Sequence, residues 1–316
     1  MTAGRHRCYH AGMDATLHIG TCSWKYESWR GLVYSDAPHP NYLAEYAQHY
    51  DTVEADQWFW SLFGPDKVVL PQPKTVVEYA AAVPDGFRFG VKLPNALTLT
   101  HFHPPSPAGA SAGLRRTGQA AKTDPLVPNP HFLSLDVLRA FLDRLEPMRG
   151  KLGPLMLQFG YLNKQKMASQ AEFLDMLGAF VRQLPTGYTW CIEPRNPNYL
   201  NAAYFDFLRE HGLAHVWLQG YYMPSIFGVY EKFADRLTDN VVIRLHGPDR
   251  EGMEERTGQD WSKIVEPRDA DLDALAGMLR HLKSLRRMVW VFGNNHFEGC
   301  APLTIKRIQA RLAETV

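Results

Sequence analysis

The stretch Leu17-His18-Ile19-Gly20-Thr21-Cys22-Ser23-Trp24-Lys25-Tyr26-Glu27-Ser28-Trp29 decides how the rest of the chain is read. Leu17, Ile19 and Thr21 alternate with His18, Gly20 and Cys22, the period of two that sends neighbouring side chains to opposite faces of a strand. After Cys22 the alternation gives way to a turn carrying two tryptophans and a tyrosine. A strand that ends in polar and aromatic groups is how an α/β barrel builds one wall of a binding site.

The same arrangement recurs downstream. Apolar residues at helical spacing predict helices over Pro40–Tyr50, Pro73–Ala82, Leu133–Met148, Ser169–Leu184, Tyr199–His211, Asp269–Leu285 and Pro302–Leu312. Alternating or all-apolar runs predict strands over Thr52–Asp56, Phe87–Lys92, Leu155–Phe159, Tyr188–Glu193, Ala214–Leu218, Val241–His246 and Met288–Phe292. Strands separated by helices imply parallel pairing through right-handed crossovers. The expected fold is α/β, a TIM-like (β/α)8 barrel forming a single domain over 15–316, with an irregular segment between strands six and seven. Residues 1–14 are expected to be a disordered tail. Pro104 to Pro130, rich in Pro, Gly, Ala and Ser, is expected to be a long loop, either a lid or disordered. Asp249, Arg250, Glu251, Glu254, Glu255 and Arg256 read as an exposed loop of mixed charge. No GxGxxG turn follows the first strand, which counts against a doubly wound sheet.

Composition narrows the function classes. With 316 residues, 45% hydrophobic and 21% charged, the chain can bury a sizeable core. A net charge of +1 gives no global attraction for nucleic acid or an anionic membrane. Cys8, Cys22, Cys191 and Cys300 lack any CxxC or metal-finger spacing, so free thiols in a reducing compartment are expected. No apolar run reaches the roughly 20 residues that span a bilayer, and no apolar segment follows the Arg- and His-bearing N-terminus. A cytoplasmic location is the expectation.

Hydrogen-bonding and charged groups collect where the strands end: Thr21, Ser23 and Trp24; Glu54 and Asp56; Lys92; Gln158; Glu193 and Arg195; Gln219; Arg244 and His246; Asn294, Asn295 and His296. In a barrel this C-terminal rim is where catalytic groups reside. Charges inside strands are costly unless paired. Glu54, Asp56 and Glu193 are the available partners for Lys92 and Arg244, and such a lattice shifts the pKa of each member. The aromatic set Trp24, Tyr26, Trp29, Trp58, Phe59 and Trp60 reads as packing, or as a stacking surface for a sugar or base.

These motifs together resemble the DUF72 (YecE-like) family. The resemblance rests on Ile19-Gly20-Thr21-Cys22-Ser23-Trp24, Tyr46-Ala47 with Thr52-Val53-Glu54, Phe87 through Pro94 with Thr100-His101, and Leu152 through Phe159. It continues with Glu193-Pro194-Arg195-Asn196, Arg244-Leu245-His246-Gly247 and Asn294-Asn295-His296 through Gly299. The resemblance implies a TIM-like barrel and a pocket at the rim, not a reaction. The chain departs from the family at Asp56 and Phe59-Trp60, where an asparagine and Phe-Tyr are usual.

The expected function is acid/base catalysis on a small polar or anionic substrate, a sugar derivative or phosphate ester. Glu54, Lys92, Glu193 and His246 are the candidate catalytic residues. Thr21, Trp24, Asp56, His101, Gln158, Arg195, Arg244, Asn294 and Asn295 are the candidate ligand-binding residues, with Lys92, Arg195 and Arg244 gripping the anion. No cofactor is expected; a divalent metal on Glu54, Glu193 and His246 is the alternative, giving a hydrolase or isomerase. A non-catalytic nucleic-acid or metabolite binder is the other class. Its only basic clusters are Arg115, Arg116 and Lys122, and Arg280, Lys283, Arg286 and Arg287 on a late helix.

Overall fold

The computed structural model describes residues 16–102 and 126–314. The expected tail over 1–14 lies outside the described residues, as does most of the Pro104–Pro130 loop. The strands are β1 (Leu17–Cys22), β2 (Thr52–Ala55), β3 (Arg88–Lys92), β4 (Leu152–Gln158), β5 (Thr189–Glu193), β6 (Ala214–Gly220), β7 (Asn240–Gly247) and β8 (Met288–Gly293). Each pairs in parallel with its neighbours in sequence, and β1 pairs with β8 to close an 8-stranded barrel, the expected architecture. Two short antiparallel ribbons decorate it, Leu62–Gly64 with Lys67–Val68 and His101–Phe102 with Val127–Pro128.

Around the barrel run α1 (Tyr42–Tyr46), α2 (Pro73–Ala82), α3 (Leu135–Leu145), α4 (Gln170–Val181), α5 (Ala202–Glu210), α6 (Ile226–Phe233), α7 (Arg250–Thr257), α8 (Asp269–Ser284), α9 (Asn295–Glu298) and α10 (Ala301–Ala313). Their starts follow capping chemistry. Ser134 accepts from Val137 N at 3.3 Å, Ser169 from Glu172 N at 3.1 Å and Asn201 from Tyr204 N at 3.3 Å, each satisfying an N–H that the first helical turn leaves unpaired. The apolar stripe of α3 buries Leu138, Phe141, Leu142 and Leu145.

Two expectations need correction. The segment between β6 and β7 is not wholly irregular, because α6 forms there on Ile226 and Tyr230, an i, i+4 pair that buries against the barrel. Residues 249–256 are not a loop. Asp249 caps Gly252 N at 2.9 Å, Gly258 ends α7 at φ 59°, and Met253 and Thr257 supply a narrow buried edge under an otherwise charged surface.

Alternate side chains point into the barrel, and the interior is filled rather than hollow. Met156, Cys191, Val216, Val242, Trp290 and Phe292 belong to one apolar cluster there. Gly90 is what admits the Phe292 ring: a Cβ at that position would sit 2.5 Å from Phe292 Cζ. This plug leaves the last inward position of each strand as the floor of the C-terminal mouth. Among the described residues, no helix is long and apolar enough to cross a membrane.

Candidate active site

Strand register decides which polar groups meet. Cα partners in parallel neighbours send their side chains the same way, and Cys22 is the partner of Glu54, Lys92 of Met156, and Gln158 of Glu193. Arg244 partners Phe292. Cys22, Glu54, Lys92, Gln158, Glu193 and Arg244 therefore face inward together, immediately above the plug. His246, two residues beyond Arg244, stands one layer higher.

Arg244 is the hub, only 1% exposed. Its Nε and Nη2 each donate to Glu54 at 2.7 Å, a two-pronged grip, and Nη1 donates to Glu193 Oε2 at 2.5 Å. Burial works against its charge, but Glu193 and Glu54 outweigh burial and push its pKa well up. Burial likewise works against ionisation of Glu193, and Arg195, Arg244 and Lys92 more than reverse this, bringing the carboxyl down to about 2. Arg195 donates from Nε to Glu193 Oε1 at 2.7 Å and from Nη2 to Gln158 Oε1 at 3.2 Å, and lies 4.9 Å from the Tyr221 ring centroid. The Glu193-Pro194-Arg195 spacing thus pairs the two charges with each other.

Lys92 is different. It is 9% exposed, and its Nζ lies 4.0 Å from the centre of the Phe59 ring. Among the described residues it makes no hydrogen bond or ion pair, because the nearby carboxylates of Glu54 and Glu193 are held by arginines. Burial and the Arg244 charge lower its pKa against the opposing pull of Glu54, Asp56 and Glu193. Asp56, half-buried just past β2, moves the other way: burial and the Glu54 charge raise its pKa.

His246 closes one side. Its Nε2 faces Cys22 Sγ at 3.7 Å and its Nδ1 faces Tyr221 Oη at 3.0 Å. Burial, then Arg244, Arg195 and Lys92, push its pKa far down, so the imidazole is neutral. The Cys22 thiol is pushed up by burial and by Glu54, to which it donates at 3.2 Å. Tyr221 reaches His246 through a backbone irregularity. The β6–β7 register shifts between Gln219 and Gly220, Tyr221 N donates to Gly247 O at 2.9 Å, and Tyr221 takes φ 55°. A side chain in that left-handed region costs roughly 1 kcal/mol, strain of the kind that collects at functional sites.

Neither Cys22 nor Tyr221 was among the candidates from sequence. The remaining candidates sit elsewhere. Thr21 bonds Ser23 O at 2.6 Å and Tyr46 Oη at 3.0 Å, tying β1 to α1. Trp24 is buried edge-on against Tyr79. His101 lies in the second ribbon, its Nδ1 3.1 Å from Thr100 Oγ1. Asn294 caps α9 by accepting from His296 N at 3.0 Å, and Asn295 accepts from Ala301 N at 2.9 Å. These are joints of the scaffold.

The suggested metal set is also rearranged. Cys22, rather than Glu193, joins Glu54 and His246, with ligand atoms within 4.8 Å of one another. Both Glu54 oxygens already hold Arg244 and Cys22 keeps its proton, so a dication fits this donor set only after Arg244 is displaced. Of the aromatic set, Trp29, Trp58 and Phe59 are buried with Trp24, while Trp60 is half exposed. Arg115, Arg116 and Lys122 lie outside the described residues. Arg280 and Lys283 ride on the outer helix α8, and Arg287 pairs with Asp239 at 2.7 Å.

The profile of a family described as "Protein of unknown function DUF72" matches residues 18–316. The UPF0759 protein YecE of Escherichia coli K12 is 23% identical over 184 residues, which cover 58% of this chain and 50% of YecE; YecE of E. coli O157:H7 matches equally. The chain therefore spans about half the length of the curated relatives it matches. Among solved structures, a DUF72 family protein of Enterococcus faecalis V583 superposes with a TM-score of 0.61 at 19% identity, covering 95% of this chain and 97% of that one. One from Thermotoga maritima MSB8 gives 0.61 at 18% identity, covering 94% and 99%. Likeness at these identities carries the fold.

Proposed function

We propose, from the premise that the chain belongs to the DUF72 family, that it is an enzyme binding a small anionic substrate at the barrel mouth and acting on it by proton transfer. The observation that carries this is Lys92: a cation buried at the end of β3 with no hydrogen-bond or ion-pair partner among the described residues. Structural ion networks leave their members paired, as Arg244 is with Glu54 and Glu193. A buried ammonium without a carboxylate is stabilised when an anion arrives. Arg195 supports the same reading, since its Nη1 makes no hydrogen bond among the described residues while Nε and Nη2 are fixed in place. Two donors held in this way grip a carboxylate or phosphate by charge-assisted hydrogen bonds.

The geometry also supplies proton carriers. The neutral His246 imidazole is a base held by Tyr221, and Asp56, with its raised pKa, holds its proton to higher pH than a free carboxyl. Arg244, each of whose nitrogens donates to Glu54, Glu193 or Gln158, positions these side chains instead of gripping the substrate.

Thermal unfolding in increasing inorganic phosphate tests the reading. Occupancy at about 100 times Kd adds about 2.7 kcal/mol, a rise in Tm of roughly 4 °C for a chain of this size. Lys92→Met and Arg195→Met should each abolish the rise. A wild-type Tm indifferent to phosphate, glucose 6-phosphate and citrate, or an undiminished rise in both variants, would remove it.

A further inference from the structure

We propose that Lys92 is a covalent nucleophile, forming an imine with an aldehyde or ketone whose anionic substituent is held beside it. This deepens the preceding reading by naming the reactive group of the substrate, and rests on it for the anionic part alone.

The position of Lys92 separates it from a simple anion clamp. Its stem is fixed as the last residue of β3, with Val91 and Leu93 fully buried on either side and Leu93 N bonded to Met156 O at 3.0 Å. A flexible surface lysine collects anions by reach; this one is held still, as a nucleophile must be to meet a carbonyl carbon in one orientation. The Phe59 ring walls one side of Nζ at 4.0 Å. Glu54 and Glu193, the carboxylates that would otherwise fix Nζ as a paired ammonium, are turned towards Arg244 and Arg195 by short hydrogen bonds. Burial and the Arg244 cation lower the pKa of the amine, so its uncharged form is reached at lower pH than on a surface lysine.

The chemistry balances with groups already in place. The Nζ lone pair adds to the carbonyl carbon while the C=O π pair moves to oxygen, which takes up a proton, and Nζ gives up a proton. The resulting carbinolamine then takes up a second proton on its hydroxyl and expels it as water, as the nitrogen lone pair forms C=N, and the iminium so formed gives up its remaining N–H proton. The sum is amine plus carbonyl giving imine plus water, with no oxidant or reductant. The protons that Nζ sheds and the oxygen takes up exchange with solvent at the mouth, where Lys92 is 9% exposed.

Reductive trapping tests this on the full-length wild-type protein. With glycolaldehyde phosphate and cyanoborohydride near pH 7, peptide mass spectrometry should place one label on Lys92, at least tenfold faster than on the exposed Lys74. Inorganic phosphate should slow that labelling, and Lys92→Arg should abolish it while retaining a phosphate-induced rise in Tm. Label confined to exposed lysines, with Lys92 unmodified while phosphate still raises Tm, overturns the imine and leaves anion binding standing. Rapid labelling of Lys92 by neutral glycolaldehyde, unaffected by phosphate, supports the nucleophile and removes the anion instead.

Discussion

Replacing Arg244 by methionine leaves Glu54 and Glu193 as uncompensated carboxylates in the barrel interior. Breaking a buried ion pair from one side costs about 3–5 kcal/mol, so Arg244→Met should lower the unfolding free energy from denaturant titration by that amount, and adding Glu54→Gln and Glu193→Gln should recover part of it. A loss below about 1 kcal/mol, the worth of an exposed pair, would contradict the hub role. The partners Glu54, Glu193, Lys92 and Arg244 were legible in the sequence because charges in strands demand opposite charges. Their division of labour was not, since alternation names a shared face without saying which cation a carboxylate selects. Parity hid Cys22 as well. Thr21 was the more polar neighbour, yet register turns Cys22 inward and gives Thr21 to the α1 side.

At the scale of elements, the ends of β6 and β7 shape the mouth. Gly247 has φ 74°, and a Cβ there would lie 2.5 Å from His296 O at the start of α9. Gly247→Ala should therefore cost at least about 2 kcal/mol in chemical denaturation, from left-handed strain and backbone displacement together. It should also weaken the Tyr221 contact with His246, because Tyr221 N hangs on Gly247 O. Equal stability of wild type and variant would refute the close packing of these strand ends. All eight barrel strands could be read from sequence, since burial on both faces writes long apolar runs. Among what escaped were α6 and α7, whose helical spacing shows in only a pair of buried residues each, the single-turn α9, the two short ribbons, and the bulge after Gln219, for which a one-dimensional pattern has no symbol.

For the whole molecule, acid is the predicted weakness. Burial holds His215 down to about 3 from 6.5, against the raising influence of Glu193, and Glu193 itself sits at about 2 against 4.5. Both folded pKa values are depressed, so the unfolded chain binds protons first as pH falls. The contribution of these two groups is full above about 6.5, declines through the histidine window to about 3, and declines further through the carboxylate window from 4.5 to about 2. Glu193 alone accounts for roughly 3 kcal/mol. Tm measured against pH should drop steadily below 6.5, and His215→Phe should flatten the slope between 6.5 and 4, since Tyr204 Oη keeps Ile192 O at 3.3 Å when the ring nitrogen is gone. Parallel slopes for the two proteins would sink this account. A further consequence comes from the rings of Trp290 and Phe292, packed in the barrel interior. They make the barrel a cul-de-sac: a polymer cannot thread it and can offer only a terminus, and any guest at the mouth must leave by the way it came.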